Sequence, residues 1–438
     1  MKINNKLLDI LIYFIFIILV LIDFIKCFLV GNSLFITLSF LPLLIFIIYA
    51  FIRSKGFLTI DQMLYVFMFI FCYYTPLHQY IENSNIHKFT NYTTSDYLYA
   101  NFIVFLFFSI YLIIRKYSNI NTKQSIKILK INTLSLFILM LLCIASLIWL
   151  KTNNVLFSMS ESVNNNTRES FTIILTKIIR FIPVSSVLLL LVAIAKKQLS
   201  CNTRLNYFFI FIIFFVFLII FFPLNGVISR YLLFGTYLMI LHTIFESSHH
   251  KSYIIVAAFI GFYLLFPAFN FFKYNSISNI KYFKLGGFEA SYIDYDAYQM
   301  LMQTFHYTNE NGLLFGKNII SALFCMIPRS IWKNKLVHSG ALIANSYNAN
   351  FNNLSCPIFA EFYLSFGLFG VIFFTIIFAK FINYLESINK SNNSYCKIIY
   401  SISAGMVISI MRGALLPMMS FWFSLMISLS LCAFVCII

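Results

Sequence analysis

Leu205-Asn-Tyr-Phe-Phe-Ile-Phe-Ile-Ile-Phe-Phe-Val-Phe-Leu-Ile-Ile-Phe-Phe-Pro223 carries no charged residue over its whole length. About 20 such residues, coiled as a helix, cross a hydrocarbon core of about 30 Å, and a helix satisfies its backbone N–H and C=O groups where no water can. Runs of the same kind recur at 7–30, 33–52, 60–81, 97–114, 131–150, 171–195, 227–246, 252–270, 354–383, 398–416 and 418–437. With 205–223 they predict an all-α polytopic integral membrane protein of about twelve transmembrane helices. A barrel would need short alternating segments instead. Composition agrees, since 61% hydrophobic against 10% charged residues cannot be covered by a water-soluble surface. Two places leave the count open: Pro223-Leu-Asn-Gly226 and Pro417 are the sole punctuation between neighbouring runs, and a re-entrant hairpin fits either. Met1-Lys-Ile-Asn-Asn-Lys6 leads into apolar sequence with no small-residue cleavage site, which favours an uncleaved first helix.

Cations set the orientation. Lys2 and Lys6, Arg53 and Lys55, the group from Arg115 to Lys130, then Lys196, Lys197 and Arg204, Lys251, and Lys390 with Lys397 all fall on one side if the runs alternate. Basic short loops stay cytoplasmic, so both termini are expected in the cytoplasm. The opposite loops, 82–96 and 152–170, are rich in Asn, Ser and Thr. By this count the long polar segment 271–353 lies outside. Its cations run against the short-loop trend, which long loops obey weakly. A connection of that length is commonly a lid, a binding loop or an active-site element, so function is expected there, within a single membrane domain spanning 1–438.

The net charge of +17 invites a nucleic-acid reading. About half of the cations are topological anchors, however, and no soluble basic domain exists to grip a duplex. Nine cysteines without CxxC spacing indicate neither zinc nor a disulfide framework, although Cys325 and Cys356 both face the outer side and a bridge between them is an option. No metal and no cofactor are expected. Asp294-Tyr-Asp296 has the DxD form of metal-holding nucleotide-sugar transferases, but nucleotide sugars are cytoplasmic and this segment is placed outside.

Charges at the ends of apolar runs are the informative ones, because a cation in hydrocarbon costs several kcal/mol unless it snorkels or finds a partner. Arg180, Arg230, Arg329 and Arg412 all belong to the outer half of the membrane or to the outer segment in this topology. Each could reach lipid headgroups alone; together they suit a pocket for a di-anionic group, which guanidinium forks bind in pairs. Glu361, three residues into an apolar run, either caps its helix dipole or is balanced by one of those arginines. Asp296 is a second acid candidate. His306 and His338 are candidate bases.

At these residues the chain resembles the O-antigen polymerases of the Wzy type. The resemblance rests on Gly316, on Pro328-Arg329-Ser-Ile-Trp332-Lys-Asn-Lys335, on Gly340, and on Pro357-Ile-Phe-Ala-Glu361-Phe-Tyr-Leu-Ser-Phe-Gly367-Leu-Phe-Gly370, with Ser229-Arg230 and Asp294 to Tyr298 beside them. It covers about a quarter of the chain at the level of motifs. One departure is Lys335-Leu336, where the family often has Lys-Pro after the tryptophan.

The resemblance implies a GT-C-like glycosyltransferase of the bacterial inner membrane with its large loop in the periplasm, building surface polysaccharide. Its substrates would be oligosaccharide repeat units on undecaprenyl pyrophosphate, and its partners membrane lipid, a chain-length regulator and a flippase. An acceptor hydroxyl attacks the donor's anomeric carbon and the polyprenyl pyrophosphate leaves. Arg230, Arg329 and Arg412, with Arg180 and Lys335 as weaker candidates, would meet the charge developing on the leaving group. Glu361, or failing it Asp296, would take the proton. Tyr292, Tyr295, Tyr298, Phe305, Tyr307 and Trp332 suit sugar stacking. Two other functions fit the class: a lipid-linked oligosaccharide flippase, with charges near the membrane midplane, or an O-antigen ligase, which would lean on a loop histidine as well as arginines.

Overall fold

The computed structural model describes residues 5–30, 34–54, 56–117, 131–156, 170–198, 204–222, 228–245, 257, 261, 288–349, 351–391 and 393–436. The described chain is all-α and multi-pass. Its helices are α1 (Asn5–Val30), α2 (Leu34–Ser39), α3 (Leu41–Arg53), α4 (Ile60–Phe67), α5 (Thr75–Ile81), α6 (Thr94–Lys116), α7 (Thr133–Thr152), α8 (Ser170–Arg180), α9 (Ile182–Ala195), α10 (Arg204–Ile220), α11 (Arg230–Phe245), α12 (Ala297–Asn311), α13 (Lys317–Leu323), α14 (Ser339–Ser346), α15 (Ile358–Asn389), α16 (Ser394–Arg412) and α17 (Leu415–Val435). Among the described residues nine helical segments are long and apolar enough to cross a membrane, and α10 and α11 are shorter apolar helices. Apart from residues 257 and 261, the expected run 252–270 lies outside the described residues, as does 223–226. At Pro417 the chain does not form a re-entrant hairpin: Gly413 and Ala414 simply separate α16 from α17.

Interruptions in three spans have local causes. The span 60–81 passes through a π-helical stretch, Met68–Tyr74, just before Pro76. Proline has no N–H to give and its ring crowds the carbonyl four residues back, so the preceding turn widens. Phe181 breaks 171–195 two residues before Pro183 in the same way. In α15 the break is at Phe366 and Gly367, the latter at φ 61, a conformation glycine adopts without a Cβ penalty. There the carbonyl of Leu364 accepts from the N–H of Leu314 at 2.8 Å, so the kink stitches the polar segment to the span.

Contacts define two ends of the bundle. At one, Asp61 of α4 pairs with Arg115 of α6 at 2.5 Å, Tyr111 donates to the same carboxylate, and Arg115 also reaches Asn383 and Glu386 of α15. Lys196 and Ser394 meet there too. At the other end lie Asp296, His87, Arg230, Glu361 and Arg412. The N-terminal part of α1 and the C-terminal part of α17 belong to the Asp61 end, where Tyr13 donates to the Phe51 carbonyl and Tyr395 bonds Ser430.

One apolar core gathers α1 to α6, α12 and α15, a second gathers α7, α9, α10 and α17, and α11 gives residues to each. Helix α16 contributes to both and is crossed closely by α11. At the crossing Gly235 and Gly405 face each other, and a Cβ on either would collide with the other's carbonyl oxygen. Small residues let membrane helices approach this closely. The two helices run antiparallel, so the first residue of α11, Arg230, and the last of α16, Arg412, are carried to the same end.

The long polar segment is not an open loop over the part that is described. From residue 288 it folds into α12, α13 and α14, and α12 is buried along most of its length. Its Gln299 and Gln303, four apart on one face, hold the 84–92 connection through Ser84, Ile86 and Thr90.

Candidate functional site

Arg412 lies over the Tyr231 ring, 4.5 Å from its centroid, and donates from Nε to the Asp294 carbonyl at 3.0 Å and from Nη2 to Asp296 Oδ1 at 2.9 Å. Tyr231 donates its hydroxyl to the same Asp294 carbonyl at 2.7 Å. One turn of backbone, Ile293–Tyr295, thus receives donors from α11 and α16 together. Arg230 faces the Asp294 carboxylate at 3.6 Å. On the far side of Asp296, Oδ2 meets His87 Nε2 at 3.1 Å and the Ser355 N–H at 3.3 Å. Burial alone would push the Asp296 carboxyl upward; Arg412, then His87 and Ser355, outweigh it and hold the group below the usual carboxylate range. Both oxygens of Asp296 are committed, Oδ1 to Arg412 and Oδ2 to His87 and the Ser355 amide, and Asp294 faces Arg230. The DxD pattern is therefore directed at guanidinium groups.

A second knot surrounds Glu361 in the first turn of α15. Leu415 N–H donates to Oε1 at 2.8 Å, while Asn318 and Ser339 donate to Oε2 at 2.8 and 2.6 Å. The side chain is 1% exposed. This corrects the alternative that an arginine balances it: three neutral donors and the helix N-terminus do so. Glu361 joins α13, α14, α15 and the α16–α17 turn, three residues after Arg412. Gly340 has no Cβ for a reason visible here, since one would strike the Leu354 carbonyl.

Arg329 is exposed and donates to the carbonyls of Lys335 and Leu336 at 2.6 and 2.9 Å, closing a tight hairpin. Lys335 is buried, its ammonium on the carbonyls of Phe324, Cys325 and Ile327 at 3.2, 2.7 and 3.0 Å. That removes it from the phosphate-binding candidates. His338 is the N-cap of α14, with Nδ1 accepting from Ala341 N–H at 3.2 Å. Burial and then Arg329 hold its imidazole below the ordinary histidine range, so it is neutral, and the hydrogen bond places its proton on Nε2. With Nδ1 engaged, the ring has only the Nε2–H left to offer, as a hydrogen-bond donor.

Of the sequence-derived candidates, Arg230, Arg412 and Asp296 come together, and Glu361 is tied to them through Leu415. Arg329, Lys335 and His338 form the adjoining hairpin, joined by Ser339. Arg180 is elsewhere: it donates to the Val155 carbonyl at 3.0 Å just beyond α7. His306 faces Asp96 at 3.4 Å near the start of α6. Tyr295, Tyr298, Phe305 and Tyr307 are buried packing residues and cannot stack on a sugar, whereas Tyr292 and Trp332 are partly exposed. Cys325 and Cys356 are buried free thiols. His87, Tyr231, Ser355, Asn318 and Ser339 escaped the sequence reading, because single polar residues in polar connections carry no periodic signal. Comparison of the chain with protein-family models, curated proteins and solved structures gives no match.

Proposed function

We propose that this protein joins lipid-linked oligosaccharide repeat units into a surface polysaccharide, acting as a glycosyltransferase on undecaprenyl-pyrophosphate donors at the periplasmic face of a bacterial inner membrane. The observation that supports it most is the convergence of Arg230 and Arg412 from two antiparallel spans on the turn at Asp294–Asp296, at one end of the bundle. In this reading the diphosphate exchanges with the two aspartates for the guanidinium groups, whose fixed positions suit the charge that develops as the glycosidic C–O bond breaks. The acceptor oxygen bonds to the anomeric carbon, the polyprenyl pyrophosphate departs, and the hydroxyl proton passes to a carboxylate. Asp294 takes that proton, because its side chain is 13% exposed while Asp296 is 2% exposed and Glu361 is enclosed by donors. Asp296 then orients Arg412.

A ligase reading is favoured by one observation, the exposed Arg329 beside the neutral His338. Gel profiling of lipopolysaccharide from a deletion strain separates the readings. Loss of a polymerase leaves a single repeat on the lipid core, whereas loss of a ligase or of a flippase leaves the core bare. Complementation with Arg412→Ala or Arg230→Ala, with membrane levels verified by immunoblot, should reproduce the single-repeat pattern; long chains in both variants would overturn the proposal.

A further inference from the structure

The π-helical stretch Met68–Tyr74 adds backbone to each turn and so rotates everything after it about the helix axis. His78, in α5 just beyond Pro76, faces α1 as a result. There its Nε2 lies 3.3 Å from Asp23 Oδ2. Cys27 follows Asp23 by four residues and shares its face of α1. One ligating atom from each of Asp23, Cys27 and His78 falls within 4.8 Å of the others. Rings of Tyr74 and Phe288, with centroids 4.6 and 5.9 Å from the imidazole, hold His78 in place.

We propose that Asp23, Cys27 and His78 bind one zinc ion, or a divalent transition metal of similar softness, clamping α1 to α5. The ligand chemistry selects the ion. Thiolate, imidazole and carboxylate suit zinc, whereas calcium and magnesium take oxygen donors. Tetrahedral zinc with bonds near 2.0–2.2 Å sets its nitrogen and oxygen ligands about 3.4 Å apart, which the His78–Asp23 separation already meets. The sulfur closes the remaining gap by side-chain rotation. A water, or the carboxylate of Glu82 one turn after His78, completes four-coordination. Binding requires the Cys27 thiol to lose its proton to solvent and the imidazole to be neutral.

A clamp at this place has a consequence for α1. Only 28% of the α1 span is buried, the lowest share of the nine long spans among the described residues, so packing holds this helix weakly. The His78–Asp23 contact alone, between partners 22% and 26% exposed, is screened by solvent and adds little. Gln79, the residue after His78, donates its side-chain amide to the carbonyls of Ala290 and Tyr295 at 3.0 Å each, so whatever fixes α5 also fixes the turn that carries Asp294 and Asp296. The metal therefore steadies the site from outside it, and its presence does not depend on which reaction that site performs.

Full-length protein purified in detergent, stripped with chelator and titrated with Co²⁺, tests the site. The wild type should take up one equivalent with a sulfur-to-cobalt charge-transfer band and tetrahedral visible bands, both abolished by stoichiometric Zn²⁺. Cys27→Ser should lose the charge-transfer band and weaken Zn²⁺ binding by more than about 100-fold, beyond what loss of a mere supporting residue costs. His78→Gln should weaken it similarly, and Cys396→Ser should leave it unchanged. Zn²⁺ should also raise the unfolding temperature of the wild type but not of Cys27→Ser. A wild type that shows no charge-transfer band, or a Cys27→Ser protein that binds as the wild type does, overturns the site and leaves Asp23 and His78 a plain hydrogen-bonded pair. Should His78→Gln fail to fold, the wild-type spectrum and Cys27→Ser decide the matter alone.

Discussion

Asp296 is ionised in a buried place because Arg412, His87 and the Ser355 amide all point at it. Its folded-state carboxyl titrates below the unfolded value, so the stabilisation it brings is complete above about pH 3.9 and is lost as pH falls through the lower folded value. Thermal unfolding in detergent should therefore show a component of acid lability below about pH 4 that Asp296→Asn lacks. The same substitution strands a buried guanidinium and should cost about 3–5 kcal/mol at neutral pH, read as a lowered unfolding temperature. Glu361 predicts a different outcome. Glu361→Gln sets an amide N–H₂ among donors from Asn318, Ser339 and Leu415, a loss of about 1–3 kcal/mol in stability. Since a general base is worth about 10²–10⁴-fold, near-full activity per folded molecule is expected if Glu361 is a hub, and a collapse in turnover with the unfolding temperature unchanged would make it the base after all. The arginines and Glu361 could be picked out of the sequence because a charge beside an apolar run is conspicuous, and Asp296 through the spacing of Asp294-Tyr-Asp296. Their partners could not, since which guanidinium meets which carboxylate depends on helix crossings that no local pattern records.

At the scale of elements, the crossing of α11 and α16 does the positioning. Gly405→Leu puts a branched side chain where the Gly235 carbonyl and Met239 already stand. The two helices would be forced apart, and Arg230 and Arg412 with them; polysaccharide chain length should fall while the protein still inserts. Gly367→Ala places a Cβ at φ 61, ψ −142 in open space, and should cost about 1–3 kcal/mol through backbone strain alone, which unfolding measurements can resolve. Eleven of the twelve expected runs coincide with described helices to within several residues, for the plain reason that hydrophobic length is read directly from composition along the chain. The helices of the polar segment were not legible. Residues 297–311 mix Gln, Thr and Asn with aromatics, and their burial comes from partners in the 84–104 region, distant in sequence.

For the whole molecule, alternation of the spans leaves the Asp61 cluster at one end and the Asp296 cluster at the other, and the proposed orientation turns the second outward. Ser291→Cys and Lys390→Cys, both at exposed positions, test it. A membrane-impermeant maleimide added to cells should label the first and spare the second; the reverse pattern would invert the topology. Fold class was plain from composition, but the joining of two apolar cores through α11 and α16 was not, since those helices look like any other apolar run. The order in which the chain emerges adds something more. Asp296 and Glu361 are synthesised before Arg412 and the Leu415 amide at the α16–α17 turn, which complete their sets of partners. Before that turn closes, Asp296 has only His87 and the Ser355 amide and Glu361 only Asn318 and Ser339, so one short stretch of chain finishes both carboxylate sites at once.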